Sequence, residues 1–126
     1  MFIRFVLTEV DEDSRRRKGA LVAAHELKYE GDLDTGELRR LMDVLAWFNE
    51  HLPIPPELDE DGNHRALSWF KPEAADAIAQ MWLLVHLLRS HGMLIEVLKT
   101  DDPGSVLYED EQQIVAKPRR GRRVPW

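Results

Sequence analysis

The start of the chain alternates. In FIRFVL, Ile3, Phe5 and Leu7 fall on one side and Phe2, Arg4 and Val6 on the other, the period of a strand with one face committed to a core. The acids of EVDEDS come next and precede a helical stretch predicted from about Arg15 to Tyr29, with Asp13 or Ser14 as N-cap and Gly31 as the stop. Asp34 and Glu37 have the spacing of a capping box, and Leu38, Leu41, Met42, Leu45, Phe48 and Leu52 then form one broad apolar stripe, with Asp43 and Glu50 outside it. PIPPE ends that helix because proline supplies no amide hydrogen, and residues 53–65 read as an irregular acidic loop.

Pro72 suits the first position of a third helix, which runs to about Ser90. Its second half, MWLLVHLL, is apolar nearly all round, so burial between other elements is expected. MLIEVLK is a strand, DDPGS a turn with Pro103-Gly104 suited to the middle of a type II turn, and VLYE with QIVAK a final hairpin across DEQ. The order β-α-α-α-β-β-β predicts an α+β two-layer sandwich, with three helices on one face of a four-stranded mixed sheet. Short links predict that the last three strands form an antiparallel meander; the first strand is expected at the centre or the edge, with a parallel neighbour open to it. Residues 1–118 form one domain, and residues 119–126 are a basic tail.

Charge sharpens that division. The last ten residues hold five of the 17 cations and none of the 23 acids, so the net −6 divides into about −11 for the preceding chain and +5 for its end. At 126 residues and 44% apolar content the chain has material for one real core. Without cysteine, disulfides, zinc-thiolate sites and thiol chemistry are excluded. Arg4 interrupts the short apolar run at the start, and acids stand where a signal-peptide cleavage site belongs. The longest apolar run, Met81 to Val85, is far too short to cross a bilayer, so a cytoplasmic protein of bacterial type with no membrane contact is expected.

Three stretches, MFIRFV…DEDS, ALSWFKPEA and DDPGSVLYEDEQQIVAKP, together resemble a group of small uncharacterised bacterial proteins with no assigned activity. The resemblance reaches about Pro118, leaves RRGRRVPW outside it, and implies no catalytic residue.

Candidate chemistry is sparse. HELKYE lacks the second histidine of a zinc-protease motif, since Tyr29 stands there, and His86 and His91 are five apart, which does not align a ligand pair on one helix face. No transition metal and no cofactor is expected. Acids at 9–13, 57–61 and 109–111 read as solvated surface; Glu57, Asp59 and Asp61 with Gly62 only faintly follow a calcium loop. Serines and glycines make no nucleophile elbow, phosphate loop or dinucleotide fingerprint. His86 reads first as a core histidine satisfied by a carbonyl or an acid, and second as a pocket residue.

Two functions follow. The favoured one is a non-enzymatic binding or adaptor protein. Its basic arm, Arg119, Arg120, Arg122 and Arg123 with Trp126 as apolar anchor, meets a protein partner or, through phosphates, a nucleic acid. Trp69 reads first as a clamp that packs the acidic loop on the core and second, with Lys71, as a stacking-plus-cation surface; Arg15, Arg16 and Arg17 read first as a salt-bridged surface and second as a phosphate-facing patch, if the fold brings them to the tail. A homodimer or a partner bound through a sheet edge or an apolar patch is also expected. The alternative is a small enzyme with a His–carboxylate acid–base site at a strand end, built on His86 or His91 with Glu96 or a loop acid. A pocket holding His86 and a carboxylate favours that alternative; a solid core favours the adaptor.

Overall fold

The computed structural model describes residues 1–11, 15–56, 62–63, 65–119 and 126. Its elements run β1 (Phe2–Val10), β2 (Arg17–Gly19), α1 (Ala20–Glu30), α2 (Thr35–His51), β3 (Leu67–Phe70), α3 (Ala75–Ser90), β4 (Glu96–Thr100), β5 (Ser105–Glu109) and β6 (Gln113–Lys117). The α+β class stands, but the sheet has six strands, not four, and every pairing is antiparallel.

β1 is central, one of the two places expected for it, but its neighbours are antiparallel and none is parallel. One side pairs with β4 from Phe2↔Thr100 to Val6↔Glu96; the other is shared by β3 at Ile3↔Phe70 and β2 at Val6↔Gly19. β3 then pairs with β6, and β6 with β5. The predicted meander is therefore half right. The β5–β6 hairpin forms, whereas β4 leaves it to cover the free edge of β1.

This path bends the sheet. Thr100 and Ser105 lie five steps apart in sequence and span at most about 17 Å. The edges of a flat β4-β1-β3-β6-β5 sheet would lie about 19 Å apart. The sheet curls, without closing, so that the short link can join its two edges. Gly104 makes the last step possible: its φ is +114°, and a β-carbon there would lie 2.0 Å from the Lys117 carbonyl oxygen.

The curl creates two cores. The larger holds Phe5, Leu7, Phe70 and Ile95 from the sheet side with the buried faces of all three helices, among them Leu41, Phe48, Leu84 and Leu88. The smaller lies on the other face, where Leu67, Trp69 and Ile114 enclose Trp126, flanked by Phe2 and Leu98.

Local differences from the pattern have physical causes. The stretch from Arg15 enters a hairpin first: Arg15 adopts φ 57°, the Asp11 amide donates to the Arg16 carbonyl while the Arg15 amide donates to the Asp11 carbonyl, and Arg17–Gly19 pair with β1 before α1 begins. The α1 N-cap is Gly19; Asp13 and Ser14 lie outside the described residues. Pro72 sits in a turn three residues before α3. The capping box on α2 is formed, with Glu37 N–H donating to Asp34 Oδ1 at 2.8 Å. Met42, assigned to the apolar stripe, is exposed, and Val44 is buried in its place.

Asp110 fixes the β5–β6 turn. Its carboxylate accepts from the Gln112 and Gln113 amides at 2.8 and 2.9 Å and from the Tyr108 hydroxyl at 2.8 Å. Burial pushes this carboxyl up, but the hydrogen bonds outweigh burial and hold it below the usual value. The resulting stability is present above the unfolded pKa of about 3.9 and is lost as pH falls through the lower folded value. Asp110→Asn is therefore expected to cost about 1 kcal/mol at pH 7 and less in strong acid. Urea titrations of both proteins at the two pH values read the difference.

Candidate functional site

The third helix is not buried all round. Met81, Leu84, Val85 and Leu88 are buried, Leu87 is half-buried, and Trp82, Leu83 and His86 are exposed, Leu83 by 57%. Only one side of α3 meets the core, so its surplus apolar residues face outward beside α2. Between the two helices lies a groove of about 690 Å³. Arg40, Asp43, Val44 and Trp47 line the α2 bank; Gln80, Leu83, His86, Leu87 and Ser90 line the α3 bank, over a floor that includes Leu41 and Leu84.

The helices run antiparallel. His91, which caps the C-terminus of α3, places Nε2 2.6 Å from Glu37 Oε2 in the first turn of α2. Each partner thus sits at the helix end whose dipole suits it. Counting from that contact, Asp43 stands level with Val85 and beside His86 on the opposite bank. A pocket residue, not a core histidine, is the role in which the fold places His86: it is exposed and makes no hydrogen bond to a described residue.

That places His86 and a carboxylate along one groove, the arrangement that leans toward acid–base chemistry. The geometry falls short of it. Asp43 also makes no hydrogen bond or ion pair with a described residue, His86 included, whereas an acid–base pair needs its members within hydrogen-bond reach. The pair within hydrogen-bond reach is His91 with Glu37, and it ties two helix ends together. Of the partners expected for a histidine, Glu96 is engaged by Arg17, and the loop acids at 57–61 lie outside the described residues. Among the described residues no three His, Asp or Glu side chains converge on a metal position.

The predicted binding residues are dispersed or consumed. Trp69 is 0% exposed on β3, so it offers no stacking surface; its indole N–H is buried and has no acceptor among the described residues. Lys71 pairs with Glu109. Arg17 donates from Nε to the Leu7 carbonyl at 2.7 Å, and its Nη2 lies 3.3 Å from Glu96 Oε1 without hydrogen-bond alignment. Lys18 is buried between Glu26 at 2.8 Å and Glu9 at 3.0 Å, whose hydrogen bonds hold its pKa above the usual value. Arg16 is half-buried and engaged, which leaves Arg15 exposed. Within the run, Arg17 and Lys18 are thus paired with Glu96, Glu9 and Glu26.

The basic tail differs most from its reading as a free arm. Arg119 meets Asp102 at 3.2 Å. Arg120, Arg122 and Arg123 lie outside the described residues, as do the acids at 57–61. Trp126 is 7% exposed, edge-to-face with Trp69 at 4.8 Å, and its carbonyl accepts the Arg17 amide at 3.2 Å. The tail does come to the arginine run, through this backbone contact.

The groove was hidden from sequence reading because its two banks are 30 or more residues apart. One signal was present: Gln80, Leu83, Leu87 and Ser90 repeat at seam spacing on a helix already apolar on its other side. Among the described residues no helix is long and apolar enough to cross a membrane. Compared with protein-family models, curated proteins and solved structures, the chain finds no match.

Proposed function

We propose that this chain is a non-enzymatic adaptor that seats a protein partner in the α2–α3 groove and offers its basic C-terminal run to a second, acidic partner. The observation that carries the reading is Leu83, more than half exposed on the bank of an apolar groove. Isolated exposed leucines are ordinary, but one that borders a hydrophobic channel between two helices marks a seat for an apolar ridge. An adaptor needs two separate surfaces. The groove lies on the helical side, whereas Trp126 packs on the opposite face of the sheet.

A second reading, acid–base catalysis by His86 and Asp43, has in its favour only that both border the groove. Affinity capture separates these readings. Leu83→Asp is expected to abolish retention of the groove's partner, while His86→Ala leaves capture largely intact. Capture that survives Leu83→Asp unchanged removes the groove from the proposal.

A further inference from the structure

We infer that the cleft between Arg4 and the start of α1 binds a small apolar carboxylate. Two cations are buried among the described residues, and they differ. Lys18 is held by Glu9 and Glu26. Arg4, 9% exposed, has no described carboxylate within ion-pair distance. Its Nη2 donates to the Arg17 carbonyl, its Nε is buried with no acceptor among the described residues, and its Nη1 makes no hydrogen bond with a described residue. Burial pushes this guanidinium down to about 10, Asp11 partly offsets that from a distance, and Arg17 adds to it. Arg4 is therefore still a cation at neutral pH, and a buried charge is costly unless an anion meets it.

The cleft opens where the edge of β1 passes from β3, paired at Ile3, to β2, paired at Val6. Its other wall is the first turn of α1, where Ala20, Leu21 and Val22 line it. The N-cap there is Gly19, which offers no side chain, and the first turn carries no acid. The first amides of a helix have no acceptor within it and sit at the positive end of its dipole, an arrangement that receives anions. Arg4 Nη1 lies 3.7 Å from where a β-carbon on Gly19 would stand, so the guanidinium and the uncapped turn are side by side. The cleft holds about 240 Å³, and Phe5, Leu67, Phe70 and Met81 wall it, which suits an apolar body behind the anionic group rather than a bare inorganic ion. Ser68 already donates its hydroxyl to Gln113, so Arg4 and the amides remain as donors. Asp11 is the one acid on the lining, and its repulsion favours a single negative charge, a carboxylate, over a doubly charged phosphate.

Calorimetric titration of the full chain with benzoate at low salt tests this, with benzyl alcohol and inorganic phosphate as controls. Benzoate is expected to bind at one site, benzyl alcohol to give no binding, and equimolar phosphate to leave benzoate binding intact. Arg4→Met should weaken benzoate about ten- to hundredfold, the usual range for losing a hydrogen bond to a charged group, and should melt no lower than the parent because it removes an unpaired buried charge. Val22→Asp, at an exposed position of the first turn, places a carboxylate at the helix start. It should keep or raise the melting temperature and weaken benzoate about tenfold, so it decides the matter even if Arg4→Met does not fold. A parent that shows no benzoate binding up to about 10 mM overturns the inference, since such a ligand would not stabilise the fold measurably at that concentration. So do benzyl alcohol binding as tightly, displacement of benzoate by equimolar phosphate, or a Val22→Asp protein that binds like the parent. The cleft shares no lining residue with the α2–α3 groove, so Leu83→Asp should leave benzoate binding unchanged and either site can fail alone.

Discussion

Trp69→Ala is expected to lower the stability of the domain by about 3–5 kcal/mol, the usual cost of emptying a large aromatic site in a packed core. Trp69 is fully buried, and it is where the two curled parts of the sheet meet: β3 pairs with β6 around it, while Phe2 and Leu98 approach from β1 and β4. Removing the ring takes away the central side chain of the smaller core and leaves Trp126 without its edge-to-face neighbour. At roughly 4 °C per kcal/mol for a chain of this size, the melting temperature should fall by about 12–20 °C. The orphan indole N–H of Trp69 tempers this only slightly, because its desolvation is relieved when the ring goes. A fall of less than about 4 °C in a thermal scan would mean that the sheet does not close over Trp69 as described.

Truncation after Pro118 separates a free arm from a docked one. Exposed ion pairs such as Arg119–Asp102 contribute about 0–1 kcal/mol, so a purely electrostatic tail would leave the melting temperature almost untouched. Trp126 changes the expectation. Its side chain is buried, and burying a large apolar side chain is worth about 1.5–3 kcal/mol before the cost of tethering the segment between the two anchors. Truncation should therefore lower the melting temperature by about 6–12 °C and alter the near-ultraviolet signal of the Trp69–Trp126 pair. Trp126→Ala in the full-length chain should reproduce most of the loss with every arginine retained. An unchanged melting temperature in both proteins would show that the tail is undocked.

What the sequence made legible was local. The strand at Phe2 to Leu7, the Asp34–Glu37 capping box and the hairpin around Asp110 each depend on residues a few positions apart, and each is present, although the strand is covered on both faces, with Arg4 and Val6 buried as well as Phe5 and Leu7. β2 and β3 were not legible because three- and four-residue strands carry too little period; RKG and LSWF become strands only because β1 and β6 offer open edges. The place of β4 depends on the same long-range choice, since pairing with β1 fills an edge that the nearby hairpin does not need. Trp69 and Trp126 are 57 positions apart in the numbering, and nothing local announces their contact. The groove belongs to the same class: apolar excess on the third helix was visible, but which side of it would remain uncovered depended on where α2 and the sheet came to lie.

The claim that the groove is a partner's seat is tested most directly by a photo-crosslinking amino acid placed at position 83, with position 94 as control. Leu83 borders the groove, whereas Leu94 is more exposed, at 76%, and lies outside it. If exposure alone governed contact, position 94 would react at least as well. After irradiation of cells making the full chain, position 83 is expected to give one discrete protein adduct, and position 94 to give none. Equal, diffuse labelling from both positions, or no adduct from 83, would contradict the account.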